Sequence, residues 1–419
     1  MIEQKRASIQ ESKISLSPKG FPKTEMISKL EDFLGEIPCI RSDTFSNFPV
    51  KINANYLENA ERLGKLLNDI IVKIVYNYTR DERVQDIIRL DKELLEILLM
   101  AESTPYEIGM YRPDFVYDVN GQAKICEIGC RYPINGWMLS YFFNLTTKEF
   151  VSSVDKNWEA IPNQENFISE FSSRYDKEEP IFFIHNKEKG TEIHYLKKEL
   201  AKNGIQFIDV NPKEFKLVDG QLMVKDQIAR QFYLEMDREE LKAFDKDVLK
   251  SIIASGRCIN DVRTILLIHD KRILTILFNE EIMPSYTDEY DYAFLKNFLI
   301  PSFTIYDQKD RDYLIKSSGS WVLKNNSGGR GIDIYLKNEC GLEVWKEIIT
   351  KNWQNYMVQE YVAQKEFVLG KEKINIVGMN LYFNGQSFGP GVFRGSSKRI
   401  INLHDGNGVA FPCVLDKTE

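Results

Sequence analysis

The sequence is poor in histidine and in closely spaced cysteine. It contains 4 histidines and 6 cysteines in 419 residues. No two histidines stand at a metal-ligand spacing, and Cys126 and Cys130 lack the second cysteine pair that a structural zinc site needs. The sequence therefore argues against zinc chemistry on these residues and predicts buried or unreactive thiols.

Long apolar runs and an excess of basic residues are also missing. The apolar runs fall well short of the roughly 18 to 20 residues that cross a bilayer, and the opening MIEQKRASIQESKISLSPKG lacks an apolar signal core. The 55 Lys and Arg residues against 62 Asp and Glu give a net charge of −7. We therefore expect a cytoplasmic protein that binds neither membranes nor nucleic acid, with a polar, mobile segment over residues 1–20.

The chain does contain a helical first quarter followed by alternating short elements. Its 419 residues exceed the usual size of one core. Apolar residues recur at helical spacing in YLENAERLGKLLNDIIVKIVYNY and VQDIIRLDKELLEILLMA, a strand-helix-strand rhythm begins at PIFFIH, and strands dominate from residue 320. These patterns predict an α/β (α+β) protein with a helical region and hairpin over 1–174, an α/β lobe over 175–300, and a strand-rich region over 301–419.

Two acids and two arginines could meet near one predicted hairpin. RPDFVYDVNGQAKICEIGC favours a hairpin because Asn120-Gly121 suits a tight turn. Asp114 and Glu127, one on each strand, could share Mg²⁺, which prefers hard oxygen ligands and usually brings phosphates with it. Arg112 shares a strand face with Asp114, and Arg394 lies in GPGVFRGSSKRIIN. The two arginines could neutralise a transferring phosphoryl group, or the charged residues could simply form a surface salt-bridge pair.

A lysine and a glycine-rich loop stand together in SWVLKNNSGGRGIDIYL. Lys324 ends a predicted strand, and Gly328, Gly329 and Gly331 follow it. Glycine lets backbone N–H groups approach phosphate oxygens, and the lysine adds a positive charge. The order differs from that of a P-loop, so a nucleotide would lie under a β-hairpin. The alternative is an ordinary surface hairpin with a solvated lysine.

A third stretch, YMVQEYVAQKEF, ends a short apolar strand in polar residues. Gln359 to Tyr361 could offer backbone groups to an adenine edge, and Glu366 could offer a carboxylate to a ribose. Taken singly, this stretch is better explained as a plain core strand.

Taken in order with INDVRTILLIHDKRILTILFNE, these stretches resemble circularly permuted ATP-grasp ligases, most closely the synthetase domain of the glutathionylspermidine synthase family. In that family the metal-binding Asp and Glu precede the nucleotide lysine, as the corresponding residues do here. The resemblance spans about residues 105–415. It implies that 1–174 contributes metal-binding acids to the ATP-grasp sheet, that 175–300 is a smaller pre-ATP-grasp lobe, and that 301–419 binds ATP.

The resemblance also implies a role for each motif position. Nucleotide contacts would come from Lys271, Lys324, Ser327, Gly328, Gly329, Arg330, Gly331, Gln359, Glu360, Tyr361 and Glu366. Asp114 and Glu127 would bind Mg²⁺, and Arg112 and Arg394 would steady the acyl-phosphate and the tetrahedral intermediate. Lys316 competes with Lys271 for the second nucleotide lysine.

Two positions depart from the family pattern. The family usually continues from its metal-binding Glu as E-x-N, whereas this chain has Glu127-Ile128-Gly129. The corresponding ligand is therefore lost, supplied by water, or replaced by a neighbour such as Asn135. In addition, Asn325 stands where the family has a proline after its lysine.

The function implied is an ATP-dependent ligase that uses ATP and Mg²⁺. It would phosphorylate a small-molecule carboxylate, and an amine would attack the acyl-phosphate to form an amide, with release of ADP and phosphate. A carrier-protein thiol as acceptor, an ATP-binding module without activity, and a homodimer stay open. A Rossmann-type dehydrogenase is disfavoured because no G-x-G-x-x-G follows PIFFIH, and a Ser or Cys nucleophile enzyme because no nucleophile elbow accompanies His404-Asp405.

Overall fold

The protein has a mixed α/β fold, in agreement with the predicted α+β class. The computed structural model describes residues 11–35, 44–186, 192–329, 331–401, 403 and 408–418. Within these residues the strands form five sheets, of which two supply half of the residues that line the candidate site.

The described part of the chain contains thirteen α-helices and twenty-two strands. The helices are α1 (Lys23–Leu34), α2 (Ala54–Asn77), α3 (Glu82–Ile87), α4 (Lys92–Met100), α5 (Trp137–Val154), α6 (Phe167–Ser173), α7 (Ile193–Lys202), α8 (Arg238–Leu241), α9 (Lys246–Ala254), α10 (Ile273–Phe278), α11 (Glu289–Lys296), α12 (Gln308–Lys316) and α13 (Leu342–Lys351). The strands are β1 (Ile14–Leu16), β2 (Val50–Ile52), β3 (Met110–Tyr117), β4 (Ala123–Gly129), β5 (Trp158–Glu159), β6 (Ile181–His185), β7 (Phe207–Val210), β8 (Lys216–Val218), β9 (Gln221–Val224), β10 (Gln227–Ile228), β11 (Gln231–Glu235), β12 (Cys258–Ile259), β13 (Ser302–Thr304), β14 (Trp321–Asn325), β15 (Ile334–Leu336), β16 (Tyr356–Glu360), β17 (Glu366–Leu369), β18 (Glu372–Phe383), β19 (Gln386–Pro390), β20 (Phe393–Ser396), β21 (Val409–Phe411) and β22 (Cys413–Asp416).

The largest sheet joins residues from both halves of the chain. Its order is β21-β20-β18-β3-β4, and β17 and β19 also pair with β18. Strands β3 and β4 form the predicted hairpin. Gly121 takes a φ of +82° in its turn, and the Asp118 carboxylate accepts the N–H groups of Asn120 and Gln122. Antiparallel pairing of β18 with β3 sets Met379 opposite Asp114.

A second, four-stranded sheet carries the lysine and the glycine-rich loop. Its order is β13-β16-β14-β15, and β14 runs antiparallel to both of its neighbours. Lys324 therefore lies opposite Ile334 on one side and Met357 on the other. A separate core that includes Leu323 and Trp345 holds α13 against this sheet.

The region for which an α/β lobe is predicted contains a parallel sheet of order β12-β11-β6-β7. Helix α7 connects the parallel neighbours β6 and β7, as the strand-helix-strand rhythm predicts. Beyond β12, Thr264–Ile268 form a π-helix, an irregularity that is frequent at functional sites.

Two expectations about the N-terminal region are wrong. Ile14–Leu16 form β1, which pairs with β2, so the segment of residues 1–20 that the structure describes is not simply a mobile tail. The continuous helix predicted from VQDIIRLDKELLEILLMA is broken between α3 and α4, because the Asp91 side chain caps α4 by accepting the Leu94 N–H at 2.9 Å. Further along the chain, α8 and α9 are likewise separate helices, and the Asp245 side chain caps α9.

Helix α2 packs one apolar face on the main core. Asn53 caps it by accepting the Tyr56 N–H, and Leu63, Leu67 and Ile70 are fully buried. Across the described parts of the chain, no helix combines the length and the apolar character that a membrane span requires.

Candidate functional site

A cavity of about 260 Å³ is lined by strands of the seven-stranded and the four-stranded sheets. Ten of the sequence-predicted residues line it: Arg112, Asp114, Glu127, Lys324, Gly329, Gly331, Gln359, Glu360, Tyr361 and Arg394. Lys271 lies beside it, with its Nζ 3.5 Å from the Glu127 carboxylate. Ser327, Gly328 and Glu366 are not among the lining residues, and Arg330 lies outside the described residues.

The two acids lie directly opposite each other on the hairpin. Asp114 pairs with Glu127 in the β3-β4 register. Asp114 is buried, and its Oδ2 accepts a hydrogen bond of 2.7 Å from Arg394. Its Oδ1 is buried and has no hydrogen-bond partner among the described residues. One carboxylate oxygen of Asp114 is thus available to a ligand.

Positive charge dominates the surroundings of this acid pair. Burial alone would raise the pKa of Glu127, but the positive charges of Lys271, Lys324 and Arg394 outweigh it and hold that pKa well below the ordinary value. Burial would likewise lower the pKa of Arg394, but the Asp114 carboxylate raises it. Glu127 therefore faces the cavity as a carboxylate at neutral pH.

Lys324 is held in place by two oxygen atoms. Its ammonium donates to the Cys126 carbonyl at 2.8 Å and to the Gln359 side-chain oxygen at 2.7 Å. The Gln359 side-chain amide in turn donates to the Ser302 hydroxyl at 3.0 Å, which fixes the orientation of the Gln359 side chain. An ammonium has three donors, so these two bonds leave one for a ligand. Burial lowers the pKa of Lys324, although Cys126 and Glu127 oppose the shift.

Asn325 shapes the start of the glycine-rich loop. Its side-chain oxygen accepts the N–H groups of Ser327 at 3.1 Å and Gly328 at 2.9 Å. The Gly328 carbonyl accepts from Lys271, and Gly331 adopts a φ of +71°, which favours glycine. Asn325, which stands where the family that the sequence resembles has a proline, therefore has a structural role here.

The segment after the π-helix is fixed by a buried ion cluster. Asp270 receives hydrogen bonds from Arg272 at 2.9 and 2.7 Å and from Arg238 at 2.5 Å. The Lys271 N–H donates to the Asn326 carbonyl at 2.8 Å. These contacts hold Lys271 between the glycine-rich loop and Glu127.

The predicted arginine on β3 packs against a glycine on β4. Arg112 pairs with Gly129 in the register, and a Cβ on Gly129 would lie 2.8 Å from Nη2 of Arg112. Arg112 Nη1 donates to the Asn135 carbonyl. The guanidinium therefore occupies the space in which a side chain at residue 129 would begin.

The predicted nucleotide hinge lies at the cavity, but the predicted ribose acid does not. Glu360 and Tyr361 line the cavity, and their N–H groups donate to the Pro301 and Ser320 carbonyls. Glu366 is exposed on β17 and binds Lys373 at 2.7 Å. Lys316 ends α12 and is not a lining residue either.

Sequence inspection missed several polar residues of the cavity wall, among them His269, Arg131 and Tyr132. His269 has two buried ring nitrogens without a hydrogen-bond partner in the described structure, and burial, Arg131 and Lys271 lower its pKa well below the usual value. The Arg131 guanidinium lies 4.7 Å from the centre of the Tyr132 ring. Their closeness in sequence to Lys271 and to β4 was the signal that could have identified them.

The acid pair suits a magnesium ion bound together with phosphates. Among the residues that the structure describes, no cluster of three or more His, Cys, Asp and Glu side chains could hold a metal by itself. Mg²⁺ usually takes one or two protein carboxylates and completes its shell with water and phosphate oxygens. Asp114, with its unpartnered oxygen, and Glu127 opposite it fit that need.

Comparisons with known proteins give one family and one distant relative. A family described as the AnkG N-terminal domain matches residues 63–267. A protein of Aspergillus thermomutatus named "ATP-grasp enzyme ankG" is 20% identical over 457 residues, covering 94% of this chain and 93% of that protein. The chain is thus similar to that enzyme along nearly its full length.

Proposed function

We propose that the protein is an ATP-dependent ligase with a circularly permuted ATP-grasp fold. One observation carries the proposal: a single cavity brings together an acid pair, a buried lysine, a glycine-rich loop and a strand end. These are the groups that the metal, the phosphates and the base of a nucleotide require. The name of the relative from Aspergillus thermomutatus, an ATP-grasp enzyme, supports the same assignment.

In this proposal ATP lies between the two sheets that line the cavity. Lys324, Lys271 and the N–H groups around Gly329 hold the phosphates. The adenine lies against Glu360 to Val362, where the Arg399 guanidinium lies 5.5 Å from the Tyr361 ring centre. Glu360 is exposed at the end of β16 and lines the cavity, so it is better placed than Glu366 to accept from a ribose hydroxyl.

The reaction transfers the γ-phosphoryl group of ATP to a substrate carboxylate. Mg²⁺ held by Asp114 and Glu127 would neutralise phosphate charge when bound. Arg112 and Arg394 supply donors to the charge that develops on the transferred group and on the later tetrahedral carbon. No covalent intermediate on the protein is needed, and burial raises the pKa of the Cys126 thiol to about 11, which keeps it protonated at neutral pH.

The second half-reaction joins the acyl-phosphate to an acceptor. An amine gives an amide and releases phosphate, and this is the outcome we propose. A carrier-protein thiol would give a thioester by the same first step, so the acceptor must be identified from the product.

The proposal is tested by ADP release from Mg²⁺-ATP with pools of carboxylic acids combined with amines, short peptides or thiol carriers. We expect ADP only when an acid and an acceptor are both present, and mass spectrometry of the product then identifies the bond. Lys324→Ala should abolish release, whereas Lys373→Ala, which removes an exposed lysine outside the cavity, should preserve it. If the protein binds nucleotide but releases no ADP with any of the pools, it is instead a nucleotide-binding module without ligase activity.

A further inference from the structure

Arg131 lines the cavity two residues after β4 and has no task in the proposed reaction. Its side chain is 18% exposed. In the described structure its Nε is buried without a hydrogen-bond partner, and its Nη1 donates to the Ser327 carbonyl over a long 3.5 Å. The Asp237 carboxylate lies 3.9 Å from Nη1, which exceeds hydrogen-bonding distance. The guanidinium therefore keeps donors that the described protein groups do not use.

Two buried arginines outside the cavity show the contrast. Arg263 donates from all three of its side-chain nitrogens, to the Asp261 carboxylate and to neighbouring oxygens. Arg272 does the same toward the Asp270 carboxylate and two other oxygens. A guanidinium that is largely withdrawn from water needs such partners. An anionic ligand would supply them to Arg131, because carboxylate and phosphate oxygens match the fixed donors of arginine.

The segment that carries Arg131 is held by the carboxyl end of a parallel strand. Glu235, the last residue of β11, accepts the Ile134 N–H at 3.3 Å. Glu240, in α8, accepts a hydrogen bond of 3.2 Å from the Tyr132 hydroxyl. Strand β11 runs parallel to both of its neighbours, and small ligands bind outside the carboxyl ends of such strands. Arg131 therefore lies where the cavity meets this edge of the parallel sheet.

The other charged residues of this part of the wall are accounted for. Arg399 pairs with Glu339 at 2.9 Å, and Glu360 lies at the proposed ribose position. His269 adds no positive charge at neutral pH, because burial and Arg131 lower its pKa. Among the described lining residues, Arg131 is thus a cation that neither a short ion pair nor the proposed nucleotide contacts explain.

The position of Arg131 favours the acid substrate over the phosphates. The proposed nucleotide site already supplies the phosphates with the ammonium groups of Lys324 and Lys271. The reacting carboxylate belongs beside Asp114 and Glu127, and neither acid is an ion partner of Arg131 in the described structure. The contact of Arg131 with α8 instead directs it toward the parallel sheet, away from the two antiparallel sheets that hold ATP in the proposal.

We propose that Arg131 binds a second anionic group of the acid substrate, so that the acids activated here carry a carboxylate or similar anion besides the carboxylate that reacts. This rests on the proposed function and names its substrate class. Arg131 is a specificity residue in this account, because it binds a part of the substrate that does not react. Gly329 leaves room for it, since a Cβ there would lie 2.6 Å from Nη2 of Arg131.

The test varies the charge of the substrate and residue 131 together. ADP release is measured with Mg²⁺-ATP, amine pools, and dicarboxylic acids or each of their two neutral monoamides. With the wild-type chain, the best monoamide should have a KM about tenfold to a hundredfold above that of its parent acid, the usual worth of hydrogen bonds to a charged group. In Arg131→Gln the parent acid should lose this advantage while kcat changes little, because the interaction is the same in the ground and transition states.

The outcomes separate this inference from the proposed function. A wild-type preference for monoanionic acids, or an unchanged KM ratio in Arg131→Gln, would overturn the inference and leave the ligase standing. Absence of ADP with every acid would overturn both. Weaker binding of a non-hydrolysable ATP analogue to Arg131→Gln, with an unchanged KM for the acid, would assign the arginine to the phosphates and contradict the inference.

Two further variants serve as controls. Arg131→Lys should recover part of the lost selectivity, because it restores the charge without the planar pair of donors. Arg174→Gln removes an arginine that pairs with Glu107 and Glu170 outside the cavity, and it should keep the wild-type KM ratio. If a variant at residue 131 fails to fold, the comparison of each acid with its monoamides on the wild-type chain stays decisive.

Discussion

At the scale of single residues, the site depends on charges that are buried and yet kept ionised. Lys324 shows how this is done. Its environment disfavours the charge, and the Cys126 carbonyl and Gln359 side chain then compensate with hydrogen bonds of 2.8 and 2.7 Å. The hydrogen bonds hold the lysine in a fixed position. Because its pKa is lowered, it loses its proton at a lower pH than an exposed lysine would.

Lys324 should impose an alkaline limit on nucleotide affinity. Because burial lowers its pKa, affinity should fall as the pH rises through a value below the ordinary 10.5. Lys324→Arg should remove that decline, since arginine stays protonated, and Lys324→Ala should weaken binding about tenfold to a hundredfold at neutral pH. Calorimetric titration across pH measures both effects. The same alkaline decline in Lys324→Arg would mean that another group titrates.

Asp114 should contribute strongly to stability as the partner of Arg394. Asp114→Asn leaves that buried arginine without its counter-charge, and breaking a buried pair typically costs about 3–5 kcal/mol. Chemical denaturation should therefore show a large loss in the free energy of unfolding. Glu366→Gln, which breaks the exposed pair with Lys373, is the matched control and should change little. Equal losses in the two variants would refute this account of the pair.

Sequence reasoning found the charged residues of the site better than their partners. The hairpin turn and strand alternation were sufficient to bring Asp114 and Glu127 together, since both lie within one local element. The partners of Lys324 are separated from it by 198 and 35 residues, so only the tertiary fold could reveal them. Glu366 lies outside the cavity because β17 continues onto the seven-stranded sheet and leaves that carboxylate at an exposed position.

At the scale of elements, the glycine-rich loop depends on one asparagine. Asn325→Ala removes the acceptor of two backbone N–H groups, whereas Asn325→Asp keeps an acceptor oxygen at that position. We expect faster hydrogen exchange at the Ser327 and Gly328 amides and a severalfold weaker nucleotide affinity in the alanine variant alone. Unchanged exchange at these two amides in Asn325→Ala would show that the side chain does not order the loop.

Element type was predictable wherever periodicity was strong, and element ends were not. The helical pattern of α2 and the Asn-Gly turn of the β3-β4 hairpin both correspond to observed elements. The breaks before α4 and α9 depend on Asp91 and Asp245, whose side chains cap helices within otherwise continuous apolar patterns. Strand β1 was missed because its three residues gain their pairing from β2 and not from any pattern of their own.

At the scale of the whole molecule, the fold joins distant parts of the chain. Strand β22 pairs in parallel with β2. Val414, in the middle of β22, is fully buried in the core. A chain shortened to end at Pro412 should therefore lose stability throughout, and β2 amides should exchange rapidly. A chain ending at Lys417 keeps β22 and serves as the control. Equal melting temperatures for the two would contradict this dependence.

The proposed reaction activates a carboxylate by phosphoryl transfer from ATP. Hydroxylamine tests it most directly, because it attacks an acyl-phosphate whatever the natural acceptor is. With Mg²⁺-ATP, the full chain and fractionated pools of carboxylic acids, we predict that one acid yields ADP, phosphate and a hydroxamate in equal amounts, and that Lys324→Ala yields none. Release of AMP and pyrophosphate in place of ADP, or ADP formation with no dependence on an acid, would contradict the account.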